Sequence, residues 1–167
     1  MSVVGPELAF AIDLPIRTDW SNVEIIRNSI LGCFRAAFAH LDSCERMAMV
    51  AGELMENAIK YGRWNDHDHQ LRLRLRGNEK QVEIVVECPI EPNSPRVQDL
   101  FDTLTWLKGF ASPAQAYQAR MLTIAEDPAA SGSKLGLVRI AYEGNCTLTA
   151  DLKGHVLRVK GAMTMTA

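Results

Sequence analysis

The chain has 167 residues, 47% of them hydrophobic and 23% charged, with a formal net charge of −2. Such a composition excludes intrinsic disorder and fits a single globular domain, 1–167, with a substantial core. The near-neutral charge removes any broad electrostatic case for nucleic acid or an anionic membrane, and no apolar run approaches the roughly 18 residues of a membrane span.

The N-terminus has no basic stretch, and Glu7 and Asp13 interrupt its apolar run, which argues against a signal peptide. Cys33, Cys44, Cys88 and Cys146 are scattered without the close spacing of metal ligands. They are expected to be reduced, mostly buried thiols of a cytoplasmic protein.

Glu7 to Ile12 alternates as a first strand, closed by Pro15. Asp19 or Ser21 can cap a helix carrying Val23, Ile26, Ile30, Phe34, Ala37 and Phe38 at helical spacing. Asp42 or Ser43 can cap the next helix, which runs to Gly62, placed as its stop. A polar loop, Arg63 to Gln70, precedes the period-2 strand Leu71 to Arg76 and its partner Gln81 to Glu87, joined by the turn residues Gly77 to Lys80. Arg72, Arg74 and Arg76 then share one face of the strand, the solvated one. Pro89, Pro92 and Pro95 make Cys88 to Pro95 irregular.

Val97, Leu100, Phe101, Leu104 and Leu107 mark a further helix. Ser112 followed by Pro113 is a cap with a first-turn proline, opening a helix with Tyr117, Met121 and Ile124 on its apolar side. Pro128 to Ser133 is small and flexible, Leu135 to Tyr142 reads as a buried helix, and Asn145 to Ala150 with His155 to Lys160 form a closing hairpin. The order β-α-α-β-β-(α-α)-α-β-β implies an α+β fold, a mainly antiparallel sheet with helices on one face.

Two segments carry candidate chemistry. In the helix that ends in Ala51 to Gly62, Met47, Val50, Ala51, Leu54 and Ala58 gather on one side, while Glu53, Glu56, Asn57 and Lys60 gather on another. That polar stripe is either a solvated face or a base, a magnesium ligand and a phosphate contact. The second segment, Ser131-Gly132-Ser133-Lys134-Leu135-Gly136, feeds a helix start. It is either a plain loop or a cradle in which backbone N–H groups, the helix dipole and Lys134 meet a phosphate. His67 and His69, flanked by Asp66 and Asp68, lack a third metal ligand and read as a solvated loop. Trp20, Trp64 and Trp106 read as core or edge aromatics.

Together these segments and the element order resemble the GHKL superfamily, the ATP-binding (Bergerat) fold of gyrase and histidine kinases, a two-layer α/β sandwich. Glu53 to Gly62 is similar to its N-box and Gly132 to Leu137 to its second glycine box, with Lys134 where a glycine is usual. A chain this short is most similar to stand-alone anti-sigma-factor serine kinases and SiaB-type regulatory kinases.

The resemblance implies that Asn57 holds Mg²⁺ and that Glu53 is the general base. It further implies that Lys60 neutralises a phosphate and that Ser131, Gly132, Ser133, Lys134, Leu135 and Gly136 wrap the phosphates of ATP. Phe110 to Ala130 would be a mobile lid, hinged at Gly109 and at Pro128 to Gly132. Where the family has an Asp-x-Gly-x-Gly box reading adenine, this chain has Glu87-Cys88-Pro89-Ile90-Glu91-Pro92-Asn93, and Glu87 is the nearest carboxylate.

The implied function is a bacterial signalling regulator, a Mg·ATP-dependent serine/threonine kinase acting on a small, STAS-like partner, with homodimerisation possible by analogy. The missing adenine box motivates the alternative, a degenerate module that sequesters a partner without nucleotide. A histidine-kinase catalytic domain fits poorly, because His40-Leu41-Asp42 is not a phosphoacceptor box.

Overall fold

The computed structural model describes residues 7–16, 21–38, 40–65, 69–131 and 134–165. Five strands form one antiparallel sheet: β1 (Leu8–Pro15), β2 (Gln70–Gly77), β3 (Gln81–Pro89), β4 (Cys146–Lys153) and β5 (Val156–Thr164), in the order β1-β2-β3-β5-β4. Among the described residues five α-helices accompany it: α1 (Ser21–Ala37), α2 (Leu41–Tyr61), α3 (Pro95–Lys108), α4 (Pro113–Glu126) and α5 (Leu135–Tyr142). The fold is α+β, a two-layer sandwich whose sheet carries the helices on one face.

Period-2 patterning sets that arrangement. Leu71, Leu73 and Leu75 of β2, Val82, Ile84, Val86 and Cys88 of β3, and Leu157, Val159 and Met163 of β5 all turn inward and are buried. They meet Ile30 and Phe34 of α1, Met47, Leu54 and Met55 of α2, Leu100 of α3 and Ile140 of α5 in one core. A fully buried side chain of this size stabilises by about 1.5–3 kcal/mol.

The other face of the sheet is open and charged. Arg74 pairs with Asp13 at 2.7 Å, Lys160 with Glu83 at 2.8 Å and Arg158 with Glu87 at 3.8 Å. Val85 stands between Arg74 and Lys160 in register, and it is buried on this face where their aliphatic stems can cover it.

Several sequence expectations shift by local physics. Helix α2 starts at Leu41 with His40 as its N-cap, so Asp42 and Ser43 lie inside its first turn instead of capping it. Gly62 does end α2, but in an extended conformation (φ −66°) rather than the left-handed one. Its small size is required because a Cβ there would lie 2.4 Å from the Trp64 ring, whose Nε1 donates to the Ile59 carbonyl at 3.0 Å.

Strand β3 continues through Cys88 to Pro89, beyond the expected end. Pairing with β2 has stopped at Glu87, so Pro89 interrupts no ladder bond there, and its carbonyl accepts from the Arg63 N–H at 2.7 Å. The β4–β5 hairpin is likewise longer than predicted, turning at Gly154 with φ +59°.

Ser112 caps α4 as expected, accepting from the Gln115 N–H at 3.3 Å. Only Ala116 of α4 is buried, however, and Met121 of its predicted apolar side is exposed. Pro128–Ser131 forms a single 3₁₀ turn. Cys44, Cys88 and Cys146 are buried free thiols, and Cys33 is an exposed one. Trp20, Asp19, His67, Asp66 and Asp68 lie outside the described residues, as do Gly132 and Ser133 of the glycine segment.

Candidate functional site

The site is built where α5 crosses α2. Glu53 and Asn57 are one turn apart on α2, so both side chains leave the same face. Helix α5 follows the glycine segment, and its first turn lies against that face. A Cβ on Gly136 would come 2.7 Å from Glu53 Oε2 and 3.8 Å from Asn57 Nδ2. Two sequence segments almost eighty residues apart therefore meet at one point, and glycine at 136 is what lets them.

Glu53 is half-buried, its side chain 20% exposed, and its Oε1 accepts from Arg139 Nη1 at 2.9 Å. Burial pushes the Glu53 pKa above the usual carboxylate range, and the Arg139 cation opposes that rise. Arg139 also forks onto Glu143, with Nε and Nη2 at 3.2 Å from its oxygens. Hydrogen bonding to Glu143 is the main reason the Arg139 pKa is raised. Asn57 is 9% exposed, and its Nδ2 is buried without a hydrogen-bond partner among the described residues. A buried donor left unpaired costs about 1–3 kcal/mol, which a ligand oxygen placed there would offset.

The remaining predicted residues divide. Lys60 lies one turn beyond Asn57 and is exposed, with its carbonyl accepting from Arg96 at 3.0 Å. Lys134 is half-buried and pairs with Asp99 of α3 at 3.7 Å, while Leu135 opens α5. Ser131 ends the 3₁₀ turn.

Glu87 stands apart from the group. It occupies the open face of the sheet with Arg72 and Arg158 as register neighbours, and the inward position beside it belongs to buried Cys88. A small cavity of about 160 Å³ is lined by His69, Gln70, Arg72, Glu87, Cys88, Pro89 and Val156 at that end of the strand, none of them from α2 or α5.

The sequence reading missed Arg139. Its partner Glu143 is a visible i,i+4 pair, but its contact with Glu53 spans 86 residues and leaves no local pattern. Among the described residues no cluster of three or more His, Cys, Asp or Glu side chains could hold a metal. His69 instead lies 2.7 Å from the Arg63 carbonyl through Nδ1. No described helix is long and apolar enough to cross a membrane.

The residues fit a magnesium nucleotide at one end only. The orphaned Asn57 Nδ2 donor beside Gly136 suits a phosphate oxygen, whereas no carboxylate of β3 is turned toward α2 to read an adenine.

No family model matches the chain, and no curated protein matches it significantly. A chain in the crystal structure of the SiaB–SiaC complex from Pseudomonas aeruginosa is similar in fold. The TM-score is 0.66 at 17% identity, covering 93% of this chain and 89% of that one.

Proposed function

We propose that this chain is a GHKL-type bacterial signalling regulator, a cytoplasmic kinase that uses Mg·ATP to phosphorylate a serine or threonine of a small partner protein. The observation that carries the reading is the meeting of Glu53, Asn57 and Gly136 at the α2–α5 crossing. The similar fold of a chain in the SiaB–SiaC complex supports a small protein partner, and homodimerisation belongs to the same proposal.

Each residue then has a physical task. Asn57 offers its carboxamide to Mg²⁺ and phosphate oxygens, and its unpaired Nδ2 favours an acceptor there. Glu53 takes the proton from the acceptor hydroxyl, and burial makes its carboxylate a better base than one in water. Lys60 adds a cation one turn on, and the backbone leading into α5, with Lys134 and Gly136, borders the phosphates. Bound Mg·ATP supplies the phosphoryl group and the metal's positive charge.

A thermal-shift titration with ATP and ADP, each with and without Mg²⁺, tests the proposal. Saturating Mg·ATP at 100 times its Kd stabilises the fold by about 2.7 kcal/mol, a shift of several degrees for a chain this size. Glu53→Gln retains the shift and loses phosphate transfer. A melting temperature indifferent to millimolar Mg·ATP refutes the kinase reading.

The placement of Glu87 favours a second reading, a module that binds its partner without nucleotide. In that case partner affinity is the same with ATP, with ADP and after Asn57→Ala.

A further inference from the structure

Both oxygens of Glu53 are covered by the same short helix. Oε1 accepts from Arg139, and Oε2 lies 2.7 Å from where a Cβ on Gly136 would stand. Asn57 is buried beside the same turn of α5. Arg139 is held from two sides, since Glu143 fixes two of its nitrogens while Nη1 reaches Glu53. Helix α5 is braced in turn against α4, where the Tyr117 and Tyr142 rings lie 4.8 Å apart. Asn57 Nδ2 is out of solvent, so a ligand atom meets it only once the first turn of α5 lifts away, while Glu53 keeps 20% of its side chain exposed.

We propose that Arg139 is a latch: its ion pair with Glu53 holds α5 down over the Glu53/Asn57 face and keeps the site closed until a ligand displaces that contact. The charged groups acting on Glu53 are Arg27 of α1, Glu56 of α2, and Arg139 and Glu143 beside it on and after α5. Arg139 alone hydrogen-bonds it among the described residues. Glu53 is the better shielded partner, 20% exposed against 29% for Glu87 and 45% for Asp13 and Glu83, while Arg139 is as exposed as the cations on the sheet. A shielded pair couples two elements where exposed ones contribute little. The proposal rests on the assignment of this face as the Mg·ATP site, yet the latch belongs to the ligand-free protein and is measurable there.

Hydrogen–deuterium exchange on the full ligand-free chain reads it directly. Arg139→Gln and Glu53→Gln each accelerate exchange of the α5 amides by about tenfold, and the double variant goes no further, because either change breaks the same contact. Unchanged α5 exchange in both single variants, or additive acceleration in the double, overturns the latch. If β3 amides accelerate equally, the fold itself has loosened and Arg139→Lys decides. That variant keeps the cation that Glu53 pairs with and loses the fork onto Glu143, so α5 exchange slower than in Arg139→Gln supports the latch and exchange as fast as in Arg139→Gln overturns it. A Mg·ATP titration separates the two claims. Tighter binding by Arg139→Gln than by the wild type supports both, and weaker binding contradicts the latch. Binding by neither protein, with α5 still accelerated, refutes the nucleotide site and supports the latch.

Discussion

The two candidate regions, the α2–α5 crossing and the end of β3, are built in opposite ways. At the α2–α5 end, polar groups are drawn inward against the usual cost. Glu53 is half-buried, Asn57 carries an unpaired amide, and Gly136 gives up a side chain to make room. At the β3 end, the one candidate carboxylate is turned outward to solvent and a surface arginine, and the inward position is filled by a thiol. A protein under selection for stability alone has no reason to leave Asn57 unpaired, whereas Glu87 sits where any soluble sheet would place a charge. The first region carries the proposed site, and the second is ordinary sheet surface.

That contrast breaks most sharply at Gly136. Gly136→Val drives a branched side chain into Glu53 Oε2, costing about 1–3 kcal/mol by overpacking and abolishing the Mg·ATP thermal shift. Chemical denaturation and the same shift assay check both parts. A variant that keeps the full Mg·ATP shift contradicts the placing of Gly136 at the proposed site.

Asn57→Leu tests the orphaned amide with a side chain of similar size. Without ligand the variant is more stable by about 1 kcal/mol, since an unpaired buried donor has been removed, and its nucleotide response is lost. Loss of stability on that change contradicts the claim that Asn57 is held there at a cost.

Glu87→Gln, by contrast, alters stability by less than about 1 kcal/mol and leaves any nucleotide response intact, because its pairing with Arg158 is a long surface one.

The buried thiols give a smaller, independent check on the β3 end. Burial pushes Cys88 and Cys146 up to about 12 from 9.0, so in the folded chain they stay protonated where the unfolded chain ionises. Their contribution to stability is therefore complete below pH 9 and is lost as pH rises toward 12. At pH 8 a thiol reagent labels exposed Cys33 in the folded protein and reaches all four cysteines only in denaturant. Fast labelling of Cys88 at pH 8 shows that the end of β3 is open.

The sequence exposed the layout because its signals are local. Alternation in Leu71 to Arg76, the Ser112-Pro113 cap and the apolar spacing of α1 each act within a few residues. The face of Glu87 was legible too. Val82, Ile84, Val86 and Cys88 alternate toward the core, so Glu87 had to fall on the other side. Family analogy drew attention to its carboxylate and away from that parity.

Glu53 and Asn57 were identifiable as a pair on one helical face. Their burial under α5 was not, since it depends on how two distant helices cross. Arg139 was hidden for the same reason: within Leu137-Val138-Arg139-Ile140 it reads as a solvated arginine on a buried helix.

Isothermal titration of Mg·ATP into the wild type, Asn57→Leu and Glu87→Gln addresses the central claim most directly. The account predicts saturable heat for the wild type and Glu87→Gln with closely similar affinities, and none for Asn57→Leu. Equal binding by Asn57→Leu, or binding lost only in Glu87→Gln, would place the ligand at the other end of the sheet and contradict it.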